Sequence, residues 1–411
     1  VTKIGIKIAS RISMIILFGG VIAPRLLTAA VFGSPILSQT NFNSDPRQNG
    51  WFLEDWSRNI YPQGGWMAGA AQPGKRIWSS PLFAYTPFQY FCIQFSSRGA
   101  GTPWVAGMGY NTNTGWGHFP STAAQFGELQ DDDWTTFAPT ADWTPRTFYT
   151  RARANAQKCS ILFMGDQAQF SNILVTAAQS TDVSSWADSV YASIPQLQFT
   201  PSNQRYQNLS RTRGKLAGGQ TVCLVFVGDS IIQDMANSTL DVLLARVYPG
   251  TQVQLITASG GGAGMDKWDS DTSWRWPDID LNLDESVIMQ QPDLVLLGGI
   301  STASAWQSHF PSMIQKVRER VRARWGYDVD VMLTTGAFGT GADAPGYDAG
   351  LLTISQQYST SFLDLRGVTE DYLNSAAQAG YNRSFFYRDG THANYFGKQI
   401  LGRILFAWFA P

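Results

Sequence analysis

The run Thr221–Ser230, TVCLVFVGDS, constrains the fold more than any other stretch. Its apolar residues leave no polar face. A strand built from them must be buried on both sides, as in a parallel sheet covered by helices. Helical spacing follows in IIQDMANSTLDVLLARVY. The alternation then repeats: TQVQLITASGGG, PDLVLLGG, DVDVMLTTG and SFLDLRG read as further strands. NLSRTRGKLAGGQ reads as a short basic helix ending in a Gly-Gly turn, FPSMIQKVRERVRARWG as a helix between the third and fourth strands, and YFGKQILGRILFAWF as a C-terminal helix. Strands alternating with helices predict an α/β domain with a mostly parallel sheet over residues 201–411.

Upstream the pattern is different. In YFCIQFSS, Phe91, Ile93 and Phe95 fall on one face, and Tyr90, Cys92 and Gln94 on the other. CSILFMG and FSNILVTA alternate in the same way. Short strands split by Gly, Pro and Asn predict a β-sandwich or jelly roll over residues 46–200. Nine of the 15 tryptophans lie between Trp51 and Trp186, an excess that serves either a core or a platform for stacking sugar rings. Asp131-Asp132-Asp133 reads as a solvated acidic turn, with a calcium loop as the alternative. Residues 1–45 stand apart. Lys3, Lys7 and Arg11 precede the apolar run ISMIILFGGVIA, followed by Pro24-Arg25. This segment reads as an apolar arm docking on a partner subunit. An uncleaved signal or a membrane anchor over residues 1–40 is the alternative, although the run is short for a span of about 20 residues.

Composition narrows the function classes. With 411 residues the chain exceeds one domain of about 150. Thirty basic against 31 acidic residues give a net charge of −1, which argues against nucleic-acid binding through a broad basic face. Cys92, Cys159 and Cys223 sit in apolar strand patterns and read as packed thiols, with a Cys92–Cys159 bridge as the alternative. No ligand cluster for a metal is read from the sequence, and no cofactor is needed.

Three motifs carry chemistry. Ser230 follows the first buried strand directly, at the end where open α/β sheets place ligands; a plain helix cap is the alternative for Gly-Asp-Ser. In YRDGTHAN, Asp389 stands three residues before His392. From there a carboxylate reaches one ring nitrogen and fixes the tautomer that turns the other toward a nucleophile. TASGGGAG, after the second strand, reads as a loop whose backbone N–H groups face an anion, with a plain flexible turn as the alternative. His118 reads as a loop residue, and His309 as a surface or helix-capping one.

Gly-Asp-Ser after the first strand, glycines after the second and third, and Asp-x-x-His near the end occur here in the order seen in SGNH/GDSL hydrolases. The chain resembles that family over residues 205–411. The resemblance implies a flavodoxin-like, three-layer parallel sheet, with Ser230 as nucleophile, His392 as general base and Asp389 orienting it. It puts the oxyanion donors at Ser230, Gly261 and Ser301. Ser301 departs from the pattern, since the family has Asn there; Asn394 and Gln233 are the other polar candidates to fill in. Many multidomain members of that family are carbohydrate esterases, some with a preceding β-sandwich. By that analogy the expected function is O-deacetylation of a polysaccharide by a serine ester hydrolase. The expected setting is extracellular or virion-associated, in a homo-oligomer or a larger particle such as a phage tail. A different class stays open: a non-catalytic structural or glycan-binding subunit that kept the fold.

Overall fold

The structure is a computed structural model. It describes residues 35–39, 49–53, 67–68, 77–110, 129–151, 156–165, 167–270, 275–276, 279–280, 282–300, 306–338 and 344–411. The arm expected over residues 1–45 lies outside these, apart from 35–39, and His118 and Ser301 lie outside them as well. The fold is mixed α/β, with antiparallel sheets first in sequence and a parallel sheet after them. Among the described residues no helix is long and apolar enough to cross a membrane.

The first antiparallel sheet contains β1 (Leu37–Gln39). The second contains β2 (Ile77–Ser79). The longer strands are β3 (Tyr90–Gly99), β4 (Trp104–Tyr110), β5 (Leu129–Thr136), β6 (Thr140–Arg151), β7 (Lys158–Met164) and β8 (Ala168–Ala178). The order β1-β8-β3-β6 makes one sheet, and β2-β7-β4-β5 makes most of the other. Their inward faces share one core, where Phe91, Ile93 and Phe95 of β3 meet Val105 of β4 and Ile161 and Phe163 of β7. The period of two read from YFCIQFSS decides which residues enter this core; burial itself alternates only from Gln94 on, since Tyr90 and Cys92 on the other face are buried as well. Trp51 and Trp78 belong to this core, whereas Trp143 is exposed. All three cysteines are buried free thiols, with Cys92 and Cys159 in different sheets. Asp133 corrects the expectation of a solvated turn. It lies within β5, it is 3% exposed, and its carboxylate binds the Lys398 ammonium.

After helix α1 (Ser180–Ala192) and the basic helix α2 (Ser210–Ala217) comes β9 (Val222–Gly228), buried at every residue. The IIQDMANSTLDVLLARVY segment divides into α3 (Ser230–Ala236) and α4 (Leu240–Val247). Strand β10 (Val253–Ser259) and helix α5 (Met265–Ser270) follow, then β11 (Leu294–Gly298) and α6 (Trp306–Trp325). The chain ends with β12 (Asp330–Thr334), α7 (Tyr347–Gln357), β13 (Ser361–Leu363), α8 (Leu365–Gln378) and α9 (Tyr395–Phe409). The parallel order is β10-β9-β11-β12-β13. Numbered within the sheet this is 2-1-3-4-5, which has its topological switch point between the first and third strands. Successive β9 side chains feed opposite cores. Leu224 and Phe226 pack with Leu373 of α8 and Ile404 and Leu405 of α9. Val225 and Val227 pack with Phe310, Ile314 and Val317 of α6 and Leu351 of α7.

Buried polar side chains join the antiparallel and parallel sheets. Arg151, at the end of β6, donates from Nη1 to the Leu255 carbonyl (3.1 Å) and from Nη2 to the Ala236 carbonyl (2.5 Å). The Tyr90 hydroxyl donates to Asp241 on α4 (2.6 Å).

Candidate active site

Ser230 is half-buried, at the first position of α3 and beyond the carboxyl end of β9. The turn that puts it there is over-determined. Asp229 caps the helix, with Oδ1 accepting from Ile231 N–H (2.9 Å) and Oδ2 accepting from Ile300 N–H just past β11 (2.7 Å). Burial pushes the Asp229 carboxyl up, against the pull of these backbone donors. The Trp268 indole donates to the Gly228 carbonyl (3.1 Å) and braces the strand end from below. As the opening residue of a helix, Ser230 has an N–H with no intrahelical acceptor.

His392 comes from a tight hairpin. Tyr387 pairs with Ala393 in an antiparallel bridge, and Arg388 N–H donates to the His392 carbonyl (2.8 Å). Gly390 turns the tip at φ +84°, a conformation that favours glycine. The hairpin then runs into α9, which Asn394 caps by accepting from Phe396 and Gly397 N–H (2.9 and 3.1 Å). Asp389 Oδ1 accepts from the backbone N–H of Thr391 and His392 (3.1 and 2.9 Å). Asp389 Oδ2 lies 2.8 Å from His392 Nδ1. At the other side of the ring, His392 Nε2 lies 2.7 Å from Ser230 Oγ. Partial burial works against the charged Asp389 carboxylate. The ring and backbone N–H of His392 and the Thr391 N–H outweigh it, and hold the group well below the usual carboxylate range. The structure thus brings Ser230, His392 and Asp389 into one hydrogen-bonded row. Its outer carboxylate favours the imidazole tautomer that leaves Nε2 facing the serine.

The glycine segment adjoins this row. Gly260 N–H donates to the Gly228 carbonyl (3.2 Å), which stitches the end of β10 to the end of β9. Gly260–Ala263 is a β-turn closed by Ala263 N–H (2.9 Å), with Gly262 at φ +69°. Gly261 sits on this turn and is half-buried; Gly262 and Gly264 line the crevice over Ser230. Asn394 is not free to act as an oxyanion donor, because its amide donates to the Phe385 and Tyr387 carbonyls (2.7 and 3.2 Å). Gln233 lies buried on α3, 7% exposed, and does not line the crevice.

The crevice has a volume of about 410 Å³. It opens beside the switch point, between the ends of β9 and β11, where such sheets take ligands. Met265, Trp306, Phe310 and Tyr347 form an apolar wall, and Asp266, Lys267 and His309 bring polar groups. Sequence reasoning missed this wall, because Trp306, Phe310 and Tyr347 belong to no motif and come from two helices that are separate in sequence. His309 is half-buried rather than a helix cap. It lies within α6 and lines the crevice, and its Nδ1 is 2.7 Å from Asp269 Oδ2. Burial opposes ionisation of Asp269, but hydrogen bonds from Lys316, Ser312 and His309 prevail and lower its pKa.

No family model matches the chain, and no curated protein matches it. Among solved structures it is similar to a two-domain esterase active on acetylated mannans, co-crystallised with mannopentaose, at 14% identity and a TM-score of 0.38 over 49% of this chain and 52% of that one. It is similar to an acetyl xylan esterase at 16% identity and a TM-score of 0.35, over 45% of this chain and 98% of that one. It is also similar to a family two carbohydrate esterase from Clostridium thermocellum in complex with cellohexaose, at 12% identity and a TM-score of 0.25 over 87% and 97% of the two chains. The chain spans about half the length, 52%, of the two-domain mannan esterase. Each of the three is a carbohydrate esterase to which this chain is similar.

Proposed function

We propose that the protein is a serine ester hydrolase of the SGNH type that removes O-acetyl groups from a polysaccharide. In this reading residues 201–411 carry the reaction and a β-sandwich over residues 46–200 precedes them. The observation that carries the proposal is the 2.7 Å contact of Ser230 Oγ with His392 Nε2, backed by Asp389 on the far ring nitrogen at 2.8 Å. A serine hydroxyl at its ordinary pKa is a weak nucleophile and needs such a base within reach.

The steps balance without a cofactor. Ser230 Oγ attacks the acetyl carbon while His392 Nε2 takes its proton. The negative charge developing on the carbonyl oxygen is met by the N–H groups of Ser230 and Gly261. One such donor is worth about 10²–10³ in rate. Ser301 holds the place of a third. The tetrahedral species collapses, the sugar oxygen leaves with the proton from His392, and an acetyl-serine remains. Water then attacks that carbonyl, again losing a proton to His392, and acetate departs as Ser230 recovers its hydrogen. Polysaccharide as substrate rests on the four-block family resemblance and on the tryptophans that the sandwich leaves partly exposed, Trp104, Trp134 and Trp143. The extracellular or virion-surface setting belongs to the same proposal, because acetylated polysaccharides are met there.

The test is hydrolysis of a short chromogenic acetate ester and of an acetylated glycan by wild type and Ser230→Ala, alongside labelling with a serine-reactive phosphonate. Turnover lost in the variant and a label on Ser230 support the reading. A folded wild type with neither turnover nor label overturns it in favour of a structural or glycan-binding subunit.

A further inference from the structure

Asp234 stands four residues after Ser230 on α3, one helical turn along the same face. It is 2% exposed. Its two carboxylate oxygens point at the two flanks of the histidine hairpin. Oδ1 accepts from Arg388 Nη1 (2.5 Å), and Oδ2 accepts from Ala393 N–H (2.8 Å). The same Arg388 nitrogen donates to the Ala393 carbonyl (2.9 Å). His392 therefore has a residue bound to Asp234 on either side of it in sequence. Lys398, on α9, extends the arrangement. Its ammonium lies 3.6 Å from Asp234 Oδ1, binds the Asp133 carboxylate of β5 and donates to the Trp134 carbonyl (2.8 Å). The Thr150 hydroxyl of β6 completes Asp133 (2.7 Å). Two cations and two anions balance in a site where side-chain exposure is 9% for Arg388 and 3% for the other three.

From this geometry we propose that Asp234 is a positioning residue for the serine–histidine pair. It locks the helix bearing Ser230 to the hairpin bearing His392, so that the 2.7 Å contact survives as the two segments move. The Lys398–Asp133 pair makes the antiparallel sheets part of that holder. The proposal rests on the ester-hydrolase reading for its effect on rate, but not for the hold itself. Without Asp234 the hairpin keeps its own bridge and turn yet loses its register against α3. Misplacing reacting groups by about 1 Å costs about 10²-fold in rate.

The experiment compares Asp234→Asn, Asp234→Glu and Thr150→Val with wild type, all assayed well below their melting temperatures. Thr150→Val loosens the same ionic cluster from the sheet side and leaves the hairpin contacts in place. The readouts are kcat and KM on the acetate ester, the rate at which a phosphonate labels Ser230, and amide hydrogen exchange over residues 387–394. Asp234→Asn is expected to lower kcat and labelling about 10²-fold with KM nearly unchanged, and to speed exchange at His392 and Ala393 but not along α9. Asp234→Glu is expected to recover part of the rate. Unchanged exchange in the hairpin overturns the proposal, and so does a loss of kcat no greater than that of Thr150→Val. If wild type neither turns over nor labels, the ester-hydrolase reading is what fails, and hydrogen exchange still decides whether Asp234 holds the hairpin.

Discussion

Asp229 and Gly299 approach so closely that a side chain on the glycine would place its Cβ 2.7 Å from the Asp229 carboxyl carbon. Gly299 also has φ +119°, which side-chain-bearing residues rarely adopt. Beside them Asp229 Oδ2 accepts from Ile300 N–H, a bond that ties the end of β11 to the turn that presents Ser230. Gly299→Ala is therefore expected to cost about 3 kcal/mol, the upper end of backbone strain alone, and to lower ester hydrolysis further than the fold. Gly262→Ala is the control. Gly262 has φ +69° but open space around its Cβ position, so it should lose only about 1–2 kcal/mol. Thermal melts and steady-state rates on the two variants check the order.

Asp389→Asn is expected to reduce kcat by about 10⁴, by letting the imidazole adopt the tautomer that no longer accepts the serine proton. KM should stay nearly constant. The variant also has a signature in stability. The folded chain holds Asp389 below its ordinary pKa, so its charged form favours folding. That contribution is complete above the unfolded carboxylate range near pH 4 and is lost as pH falls toward the depressed folded value. Melting temperatures of wild type and variant should thus differ most near neutral pH and converge below about pH 4. A gap that stayed constant into acid would mean that the carboxylate is not favoured by the fold.

How much of this could be read in advance varied with the kind of signal. All five parallel strands were legible, VCLVFV because it is apolar on both faces and its successors because they recur in alternation with helical segments. Ser230 and the glycine segment could be placed at strand ends for the same reason, and Asp389 and His392 in a loop before the last helix; the structure brings Ser230, His392 and Asp389 together. Helix α1 was not legible. STDVSSWADSVYA is rich in serine, and its N-cap is Gln179, a residue outside the set that favours that position; Asp182 closes back on it, accepting from Gln179 N–H (3.1 Å). Asp133 misled because three aspartates in a row resemble a turn. Only the fold shows Lys398, 265 residues away, neutralising the third. The aromatic wall of the crevice escaped for a related reason. Trp306 and Tyr347 lie far apart in sequence and meet only when α6 packs on α7, with ring centroids 5.7 Å apart.

That meeting depends on Gly350 of α7. A Cβ there would overlap the six-membered ring of Trp306. Alanine in a helix interior is ordinarily better than glycine by about 1 kcal/mol. Overpacking typically costs about 1–3 kcal/mol, and here the obstacle is a rigid ring against backbone. The steric effect should win, so Gly350→Ala is expected to melt lower than wild type. Displaced Trp306 would also disturb Tyr347, whose hydroxyl donates to the Gly299 carbonyl (3.0 Å). In the proposed reaction the wall would meet the bound sugar rather than the reacting bond, so KM should rise more than kcat falls. A variant as stable as wild type with unaltered KM would show that the ring has room to slide.

Lys398 lies 3% exposed between the Asp133 and Asp234 carboxylates. Lys398→Met removes the cation and keeps most of the volume. It should destabilise the chain by about 3–5 kcal/mol, the cost of leaving a buried charge unpaired. Adding Asp133→Asn should recover much of that loss, because the uncompensated charge goes with it. The pH dependence follows from the direction of the Asp133 shift. Burial already raises its pKa, with Lys398 the largest opposing influence. Without the lysine the group moves further up, so the folded variant binds a proton that the unfolded chain releases. Such stability is fully present below the unfolded carboxylate pKa and is lost as pH rises through the folded one. The penalty of Lys398→Met should therefore be smallest in mild acid and grow toward neutral pH. Denaturant midpoints of wild type, the single variant and the double variant at acid and neutral pH check this. A penalty that is flat with pH and unrelieved by Asp133→Asn would assign the loss to packing of the lysine stem rather than to its charge.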